Sequence, residues 1–258
     1  MDDSAVLETY DRELRREAGP DGPGAVVHRT DRLVRHDGGP QGWSAVLWSD
    51  LDEAGADAAI ADQIAYFTAC GREFEWKHYR HDRPADLPDR LLAAGFTAEP
   101  PETLMVAEAA AQAVPVRLPE GVHLRTETDE TAVRLLAEVN GLAFGENAER
   151  LAERLLAQLA AAPETITLVV AMAGERPVSA ARMETLPGVS FAGLWSGGTH
   201  PDWRGRGLYR ALVAHRARLA LDRGYRYLQV DASDQSRPIL DGLGFAALSV
   251  TTPFTYTP

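Results

Sequence analysis

Cysteine and lysine are nearly absent from this sequence of 258 residues, and it has no long hydrophobic run. The one cysteine, Cys70, excludes an internal disulfide and a metal cluster made of cysteines. The one lysine, Lys77, also lies in the first half, so chemistry in the second half cannot use a cysteine or lysine nucleophile supplied there. No apolar segment approaches the roughly 20 residues of a membrane-spanning helix. The start, Met1 to Ser4, is acidic, unlike a signal peptide, so we expect a cytoplasmic protein without a membrane partner.

Positive charge is also in deficit, because 26 Lys and Arg residues face 38 Asp and Glu residues, for a formal net charge of −12. Such a surface repels phosphate backbones, so we expect no nucleic-acid partner. The acidity either serves solubility or steers a cationic amine towards a site. Apolar residues at 45% and charged residues at 25% are typical of a folded globular chain, with room for one large domain or two smaller ones.

Small residues and two prolines, Pro115 and Pro119, occur between residues 109 and 121 and indicate a linker. We therefore predict domains at residues 1–112 and 121–258, joined by residues 113–120. Both halves end with the same order of elements, which is a strand, a short helix, a Gly-Phe pair and a strand. The pairs are Gly95-Phe96 and Gly244-Phe245. This repeat predicts a duplicated structural unit.

Hydrophobic periodicity predicts an order of helices and strands typical of an α+β sandwich. In the second half we expect helices at 133–139 (capped by Asp129 or Thr131), 149–161, 208–223 and 237–243, and strands at 165–171, 178–185, 189–195, 225–230 and 247–251. In the first half we expect strands at 45–48, 73–79 and 103–106, and helices at 58–69 and 87–94.

The most informative segment is residues 196–209, in which a strand ends at a proline and Arg-Gly-Arg-Gly opens a long helix. Glycines let backbone N–H groups converge without Cβ atoms, and a helix start adds free N–H groups and partial positive charge. With Arg204 and Arg206 beside it, this arrangement suits an anion such as a pyrophosphate. A plain surface turn before an amphipathic helix is the alternative. The spacing fits neither a Walker loop nor a dinucleotide-binding fingerprint.

The sequence Arg204-Gly205-Arg206-Gly207-Leu208-Tyr209 resembles the acetyl-CoA loop of the GCN5-related N-acetyltransferases (GNAT), whose pattern is Gln/Arg-x-x-Gly-x-Gly/Ala. The element order of residues 121–258 and the closing Gly244-Phe245 also match this family. The resemblance implies two GNAT-like α/β sandwich units in tandem, with a mixed, mostly antiparallel sheet flanked by helices. It extends more weakly to residues 1–110, which would be a degenerate copy.

The same resemblance assigns roles in the second half. The backbone of Gly197 and Thr199 would hold the pantetheine arm of acetyl-CoA. The strand at 227–231 would part from its neighbour and leave a cleft where thioester and amine meet. Residues 233–240 would border the thiol end, loop residues 143–147 would help to line the amine pocket, and no metal is implied. The pyrophosphate would lie on the amides of Arg204, Gly205, Arg206, Gly207, Leu208 and Tyr209.

Three residues depart from the family's pattern. Tyr209 stands where the family has Gly or Ala, so the cofactor passes closely only if that ring turns away. Leu240 replaces a tyrosine that protonates the leaving thiolate in many members, and Ser233 replaces a common asparagine. We expect the missing tyrosine to be tolerable, because a thiol with a pKa of about 8.5 leaves readily as the thiolate. The ionisable residues nearest in sequence to the predicted strand at 189–195 are Glu184 and His200. We interpret Glu184 as a charge at a strand end and His200 as a structural residue, so no catalytic base is assigned.

The first half lacks this anion-binding loop. Four acidic residues stand where the second half has Arg-Gly-Arg-Gly, and they are Asp50, Asp52, Glu53 and Asp57. Each would repel a phosphate by roughly 3 kcal/mol at about 5 Å before screening, so we expect no CoA binding there. This half would pack against the active half, close the amine pocket or dimerise, which gives a monomer or a homodimer. We expect its tryptophans in the core and no metal-ligand spacing among its cysteine and histidines; these residues are Trp43, Trp48, Trp76, Cys70, His78 and His81.

The sequence thus predicts an N-acetyltransferase that moves an acetyl group from acetyl-CoA to a small-molecule or peptide amine by direct transfer. Three alternatives remain open. The chain could be a non-catalytic acyl-CoA-binding module, a tandem transferase with a larger acyl or aminoacyl donor, or a scaffold protein without affinity for CoA.

Overall fold

The structure is a computed structural model that describes every residue except Pro23, Gln41 and Glu146. Its α-helices correspond to the segments predicted to be helical in both halves, with two additions, one at the amino terminus and a short one at Ala109–Gln112. The helices are α1 (Asp3–Tyr10), α2 (Ala56–Ala69), α3 (Leu87–Ala93), α4 (Ala109–Gln112), α5 (Glu130–Phe144), α6 (Ala148–Ala161), α7 (Leu208–Asp222) and α8 (Arg237–Gly242). A π-helical turn, Asp11–Arg16, extends α1.

The strands also follow the predicted order, with additions at the start of each half. They are β1 (Val26–Arg29), β2 (Leu33–Asp37), β3 (Ala45–Ser49), β4 (Phe74–Tyr79), β5 (Thr97–Ala98), β6 (Glu102–Glu108), β7 (Val122–Glu127), β8 (Ile166–Ala173), β9 (Arg176–Thr185), β10 (Phe191–Thr199), β11 (Tyr227–Ala232) and β12 (Ala246–Tyr256). The chain is therefore a mixed α/β protein with mostly antiparallel strand pairing, as predicted.

The chain divides into two compact units that do not simply follow chain order. The first unit contains Met1–Met105, Asp231–Asp241 and Ala246–Pro258, and the second contains Val106–Val230 and Gly242–Phe245. By packing, the last strand of the chain, β12, is part of the first unit. The division into domains at residues 1–112 and 121–258 with a linker at 113–120 stays a prediction.

The first unit contains a sheet in the order β1-β2-β3-β4-β12, with β5 on β12. Its pairs are antiparallel except for β3 and β4, which run parallel. Because side chains alternate along a strand, Phe74 and Trp76 of β4 share one face, where they pack with Phe67 of α2 and Phe254 of β12. The rings of Phe67 and Phe74 stack with their centroids 4.3 Å apart. This aromatic core is the hydrophobic centre of the first unit.

The tryptophan prediction for the first half is only partly right. Trp76 is 1% exposed and belongs to the aromatic core, and Trp48 packs half-buried against a separate cluster that includes Val34 and Leu47. Trp43 is 44% exposed, contrary to the prediction, because its indole nitrogen donates a hydrogen bond to Glu75 at 3.0 Å and holds the ring at the surface. Tryptophan has a polar atom that often finds a partner near solvent, so residue type alone does not place it inside.

The second unit contains a sheet in the order β11-β10-β9-β8-β7, antiparallel except for β10 and β11. Alternate residues of β8 and β9 face opposite sides of the sheet. Val170 and Ala180 pack with α5 and α6 on one side, and Val169 and Ala181 pack with Leu212 of α7 on the other. Helices thus cover both faces, and α7 reaches the sheet from the side opposite α5.

Two sequence signals in the second half have clear outcomes. Helix α5 begins after Asp129, whose side chain accepts a hydrogen bond from the Ala132 amide at 2.8 Å, as the predicted cap requires.

Strand β10 continues to Thr199 rather than ending near Trp195. Residues 196–198 have the composition of a loop, but Gly198 pairs with Ala180 of β9 and keeps the backbone extended. Strand β7 was missed, since no strand signal was recognised between Gly121 and Asp129.

Candidate active site

Strand β10 changes direction at the start of residues 196–209, the segment that contains the predicted anion-binding loop. Its register with β9 shifts between Trp195 and Gly198, and Ser196 has a positive φ of 50°. Such a β-bulge re-aims the backbone locally. A non-glycine residue at positive φ is uncommon and often marks a functional site. The bulge therefore lies at the start of residues 196–209, and Ser196 comes eight residues before Arg204.

Strands β10 and β11 part at the same place. Their parallel pairing joins Phe191 to Tyr227, Ala192 to Leu228 and Gly193 to Gln229, and β10 then continues for six more residues. No further pair joins these two strands within the part of the chain that the structure describes. The predicted parting of the two strands is confirmed, and it leaves backbone groups of residues 194–199 without a partner on that edge.

The loop after β10 is held by its own residues. The ring nitrogen Nδ1 of His200 accepts a hydrogen bond from the Asp202 amide at 3.2 Å, and its Nε2 lies 2.7 Å from Arg176. His200 is buried and caps the short turn Pro201–Trp203. This agrees with a structural role for His200, and the imidazole is not free to act as a base.

The start of α7 has the backbone geometry that an anion-binding site needs. Gly205 and Gly207 have φ of 73° and 79°, which only glycine adopts without a substantial penalty. Gly207 caps α7 without a side-chain hydrogen bond, so the N–H groups of the first turn stay available. Residues 204–207 are all exposed. The helix start is thus open to solvent and presents its positive end to any anion that approaches.

The two arginines of the loop play different parts. Arg204 donates to the Thr199 carbonyl at 3.3 Å and to the Ala143 carbonyl at 3.0 Å, and so ties the strand end to the last turn of α5. Arg206 donates to the Asp202 carbonyl at 3.0 Å and lies 4.6 Å over the Trp203 ring. Among the residues described, neither arginine forms a salt bridge. Both charges therefore remain uncompensated beside the helix entrance.

Tyr209 has turned its ring towards the sheet. A Cβ atom added to Gly197 would lie 2.9 Å from Cε2 of Tyr209, so the ring packs directly on that glycine. Burial raises the pKa of the Tyr209 phenol above its ordinary value, which keeps the hydroxyl protonated near neutral pH. Leu208 is buried with Ala171 and Val178, so only its amide faces the entrance. The bulky residue at the helix start is accommodated because position 197 is glycine.

Two polar side chains that the sequence did not predict lie on the sheet at the fork, the place where β10 and β11 part. The indole nitrogen of Trp195 and the Nε2 atom of Gln229 lie 2.6 and 2.9 Å from where a Cβ on Gly193 would stand. Oε1 of Gln229 is buried without a hydrogen-bond partner in the described structure. Gln229 reads as an ordinary strand residue in the sequence, because only the register with Gly193 brings it to the fork.

Glu184 is not a free base. Its Oε1 accepts a hydrogen bond from Gln158 at 2.9 Å and lies 3.2 Å from the Arg182 guanidinium. These two partners engage Oε1 of the carboxylate. Strand β10 itself carries no carboxylate.

Other predicted positions are placed as follows. Leu240, which is 0% exposed, and Ser233, which is exposed, both belong to the first unit, and their position at the cofactor's thiol end stays a prediction. Glu146, one of the loop residues expected to line the amine pocket, lies outside the described residues. The described residues contain no group of three or more His, Cys, Asp or Glu side chains placed to hold a metal. No described helix is both long and apolar enough to cross a membrane.

Part of the second half of the chain matches a known protein family. Residues 131–245 match the model of the Acetyltransferase (GNAT) family. No curated protein matches the chain.

Solved structures share the fold over nearly the whole chain. A GCN5-related N-acetyltransferase from Kribbella flavida is 17% identical with a TM-score of 0.69, over 99% of this chain and 94% of that one. A conserved protein of unknown function from Staphylococcus epidermidis is 13% identical with a TM-score of 0.70, over 93% and 96%. A tandem GNAT protein from the clavulanic acid biosynthesis pathway is 16% identical with a TM-score of 0.62, over 99% and 95%. At these identities the likeness concerns the fold alone.

Proposed function

We propose that the chain transfers an acetyl group from acetyl-CoA to an amine, and the match of residues 131–245 to the Acetyltransferase (GNAT) family model supports this proposal. The family supports acyl transfer in general. The donor, the acceptor and the residues that hold them are our proposal. The acceptor would be a small molecule or a peptide, and the protein would act in the cytoplasm without a metal, as a monomer or a homodimer.

One observation carries the proposal, which is the open entrance of α7. Two glycines at positive φ bracket it, its first-turn amides have no capping side chain, and Arg206 stands beside it without a carboxylate partner among the described residues. The chain has a net charge of −12, so an uncompensated cationic helix start stands out against an acidic surface. A diphosphate fits its charge and its hydrogen-bond donors.

The fork between β10 and β11 would receive the rest of the cofactor. From the diphosphate at residues 204–209, the pantetheine arm would run beside Thr199 and Gly197 towards the point where the strands part. Unpaired backbone groups on this edge of β10 suit the amides of the arm. Backbone N–H groups near the bulge would support the negative charge that develops on the carbonyl oxygen.

The reaction would be a direct transfer between two bound substrates. The neutral amine nitrogen attacks the thioester carbonyl, the C–N bond forms, and the C–S bond breaks. The nitrogen loses one proton, and the departing thiolate of CoA takes one up. Holding both reactants in line provides most of the acceleration, and the weak basicity of the thiolate lessens the need for an acid. Since Glu184 and His200 are engaged, water molecules would carry the proton from the amine.

The test is the release of free CoA thiol from acetyl-CoA with a panel of amines. We expect thiol release that depends on the amine and an acetylated product of matching mass. A non-catalytic acyl-CoA-binding module is the second candidate, favoured by the buried Leu240 and the absence of a carboxylate on β10. That candidate predicts CoA binding by calorimetry without thiol release. If CoA does not bind at all, both are wrong.

A further inference from the structure

Side chains from neighbouring elements hold the carbonyl groups at the end of β10. Nδ2 of Asn140 donates to the Ser196 carbonyl at 3.2 Å, Oγ of Ser179 to the Gly198 carbonyl at 2.7 Å, and Nε of Arg204 to the Thr199 carbonyl at 3.3 Å. Asn140 is the one that acts on the bulge itself, because Ser196 is the residue at positive φ.

Asn140 is a costly residue at its position. It lies on α5 and is 1% exposed, and its Nδ2 also donates to the Leu136 carbonyl within the helix at 3.0 Å. Its Oδ1 is buried without a hydrogen-bond partner in the described structure. A buried acceptor without a hydrogen-bond partner destabilises the folded state. A leucine would avoid that cost, so packing alone does not account for an amide here.

Packing already joins α5 to the strand without this amide. A Cβ on Gly198 would lie 3.2 Å from both Ala143 and Phe144, so the last turn of α5 sits directly on β10. The hydrogen bond to Ser196 is therefore not needed to hold α5 against β10, and its effect is on the orientation of the backbone. It determines the orientation of the peptide group that joins Ser196 to Gly197.

In a trans peptide the C=O and N–H groups point in opposite directions. With the Ser196 carbonyl directed at Asn140 of α5, the Gly197 N–H points away from α5. Helices α5 and α7 lie on opposite faces of the sheet, and the ring of Tyr209 from α7 contacts Gly197. The Gly197 N–H is thus aimed at the side on which the α7 entrance lies.

We propose that Asn140 is a positioning residue that aims the Gly197 N–H at the pantetheine arm of the bound cofactor. This inference rests on the proposed function, because it concerns how the same site receives acetyl-CoA. Asn140 itself touches neither the cofactor nor the reacting atoms. Its effect is confined to the arm, while the diphosphate stays on the α7 entrance.

The experiment compares CoA with ADP, which carries the diphosphate but lacks the pantetheine arm. In Asn140→Leu we expect the Kd for CoA to rise about tenfold, the size of one well-aligned hydrogen bond, with the Kd for ADP unchanged. The matched control is Gln112→Leu, another buried amide that donates to a backbone carbonyl, that of Leu243, at 2.9 Å. It should lower the melting temperature without changing either Kd.

A second measurement does not depend on the variant folding. In the wild-type protein, CoA should shift the Gly197 amide resonance, and ADP should not. If Asn140→Leu binds CoA as the wild type does, or if CoA binds and leaves the Gly197 amide unmoved, Asn140 is structural and the inference fails alone. If the wild-type protein has no affinity for CoA, the proposed function fails with it.

Discussion

At the residue scale, Arg206 offers a direct test of the anion site because its contacts stay within the loop. Replacing it by Glu puts a negative charge where a phosphate would lie. At about 5 Å and an effective dielectric of about 20, one like-charge pair costs roughly 3 kcal/mol before screening. We expect Arg206→Glu to weaken CoA binding at least about tenfold after screening by salt.

The control for this prediction is Arg154→Glu, on the exposed side of α6, which changes the net charge by the same amount. Calorimetry should show wild-type CoA affinity for the control. Equal affinities for Arg206→Glu and the wild type would argue strongly against a diphosphate at this loop. Arg204 is less suitable, since its hydrogen bonds to Thr199 and Ala143 also hold the local structure.

Gly197 and Tyr209 form a pair whose sizes depend on each other. A methyl group at Gly197 would overlap the Tyr209 ring, so Gly197→Ala should destabilise the protein by about 1–3 kcal/mol. In Gly197→Ala with Tyr209→Ala the overlap disappears. The double variant should therefore lose less stability in urea unfolding than the sum of the two single variants. Additive losses would mean that the ring moves aside at no cost.

Leu240 is predicted to replace a tyrosine that many GCN5-related N-acetyltransferases use as an acid, and the structure buries it completely. Leu240→Ala should lower the free energy of unfolding by about 2–5 kcal/mol through the cavity that it leaves. At a temperature where the variant is folded, kcat should match that of the wild type. A large drop in kcat with an intact fold would give this position a role in the reaction.

At the scale of the element, helix α7 has a glycine at positive φ beyond each end. Gly207 at the start has φ of 79° and Gly224 after the end has φ of 85°, and neither has a heavy atom within 4 Å of an added Cβ. Alanine at either position should cost about 1–2 kcal/mol through backbone strain alone. Only Gly207→Ala should also weaken CoA binding, because it distorts the amides of the first turn.

These two variants control for each other, as they share the change and the helix. Comparable losses in melting temperature, with reduced CoA affinity in Gly207→Ala alone, would locate the cofactor at the amino-terminal end. If both variants bind CoA equally well, the α7 entrance is only a turn.

At the scale of the whole molecule, the first unit gathers ionisable residues from distant parts of the chain. Lys77 lies 2.6 Å from Asp231, and Glu75 and Glu102 interact with both. Burial, and then the charge of Asp231, raise the pKa of Glu102 to about 7. A carboxyl group with a folded pKa above its unfolded value of about 4.5 binds more protons in the folded state between these values. Its contribution to stability is therefore lost as the pH rises from about 4.5 to about 7.

Glu102→Gln removes this titration. The difference in unfolding free energy between Glu102→Gln and the wild type should shift in favour of the variant from pH 5 to pH 8, as measured by urea unfolding. Comparing the two proteins cancels the other groups that titrate in this range, such as His78, whose pKa burial lowers. Parallel stability curves would show that Glu102 has an ordinary environment.

Much of the second half could be predicted from the sequence because its signals are local. The cap at Asp129, the helix after Gly207 and the order of elements depend on residues a few positions apart. The first half showed its main strands but not β1 and β2, which are short, with β1 largely exposed, and have little periodicity. The candidate site divides in the same way. Its loop is one continuous segment. Asn140 and Ser179 reach the site through hydrogen bonds to residues 56 and 19 positions away along the chain, and Gln229 reaches it through strand register.

The sequence by itself determined the glycine-bracketed entrance of α7, its two arginines and the match of residues 131–245 to the Acetyltransferase (GNAT) family model, because dihedral freedom, charge and residue order are written into consecutive positions. Only the tertiary structure decided that β12 packs in the first unit, that Tyr209 lies on Gly197 and that Asn140 donates a hydrogen bond to the Ser196 carbonyl. Strand pairing and side-chain packing join residues far apart along the chain, and many pairings satisfy the same local pattern, so the compact fold has to select one.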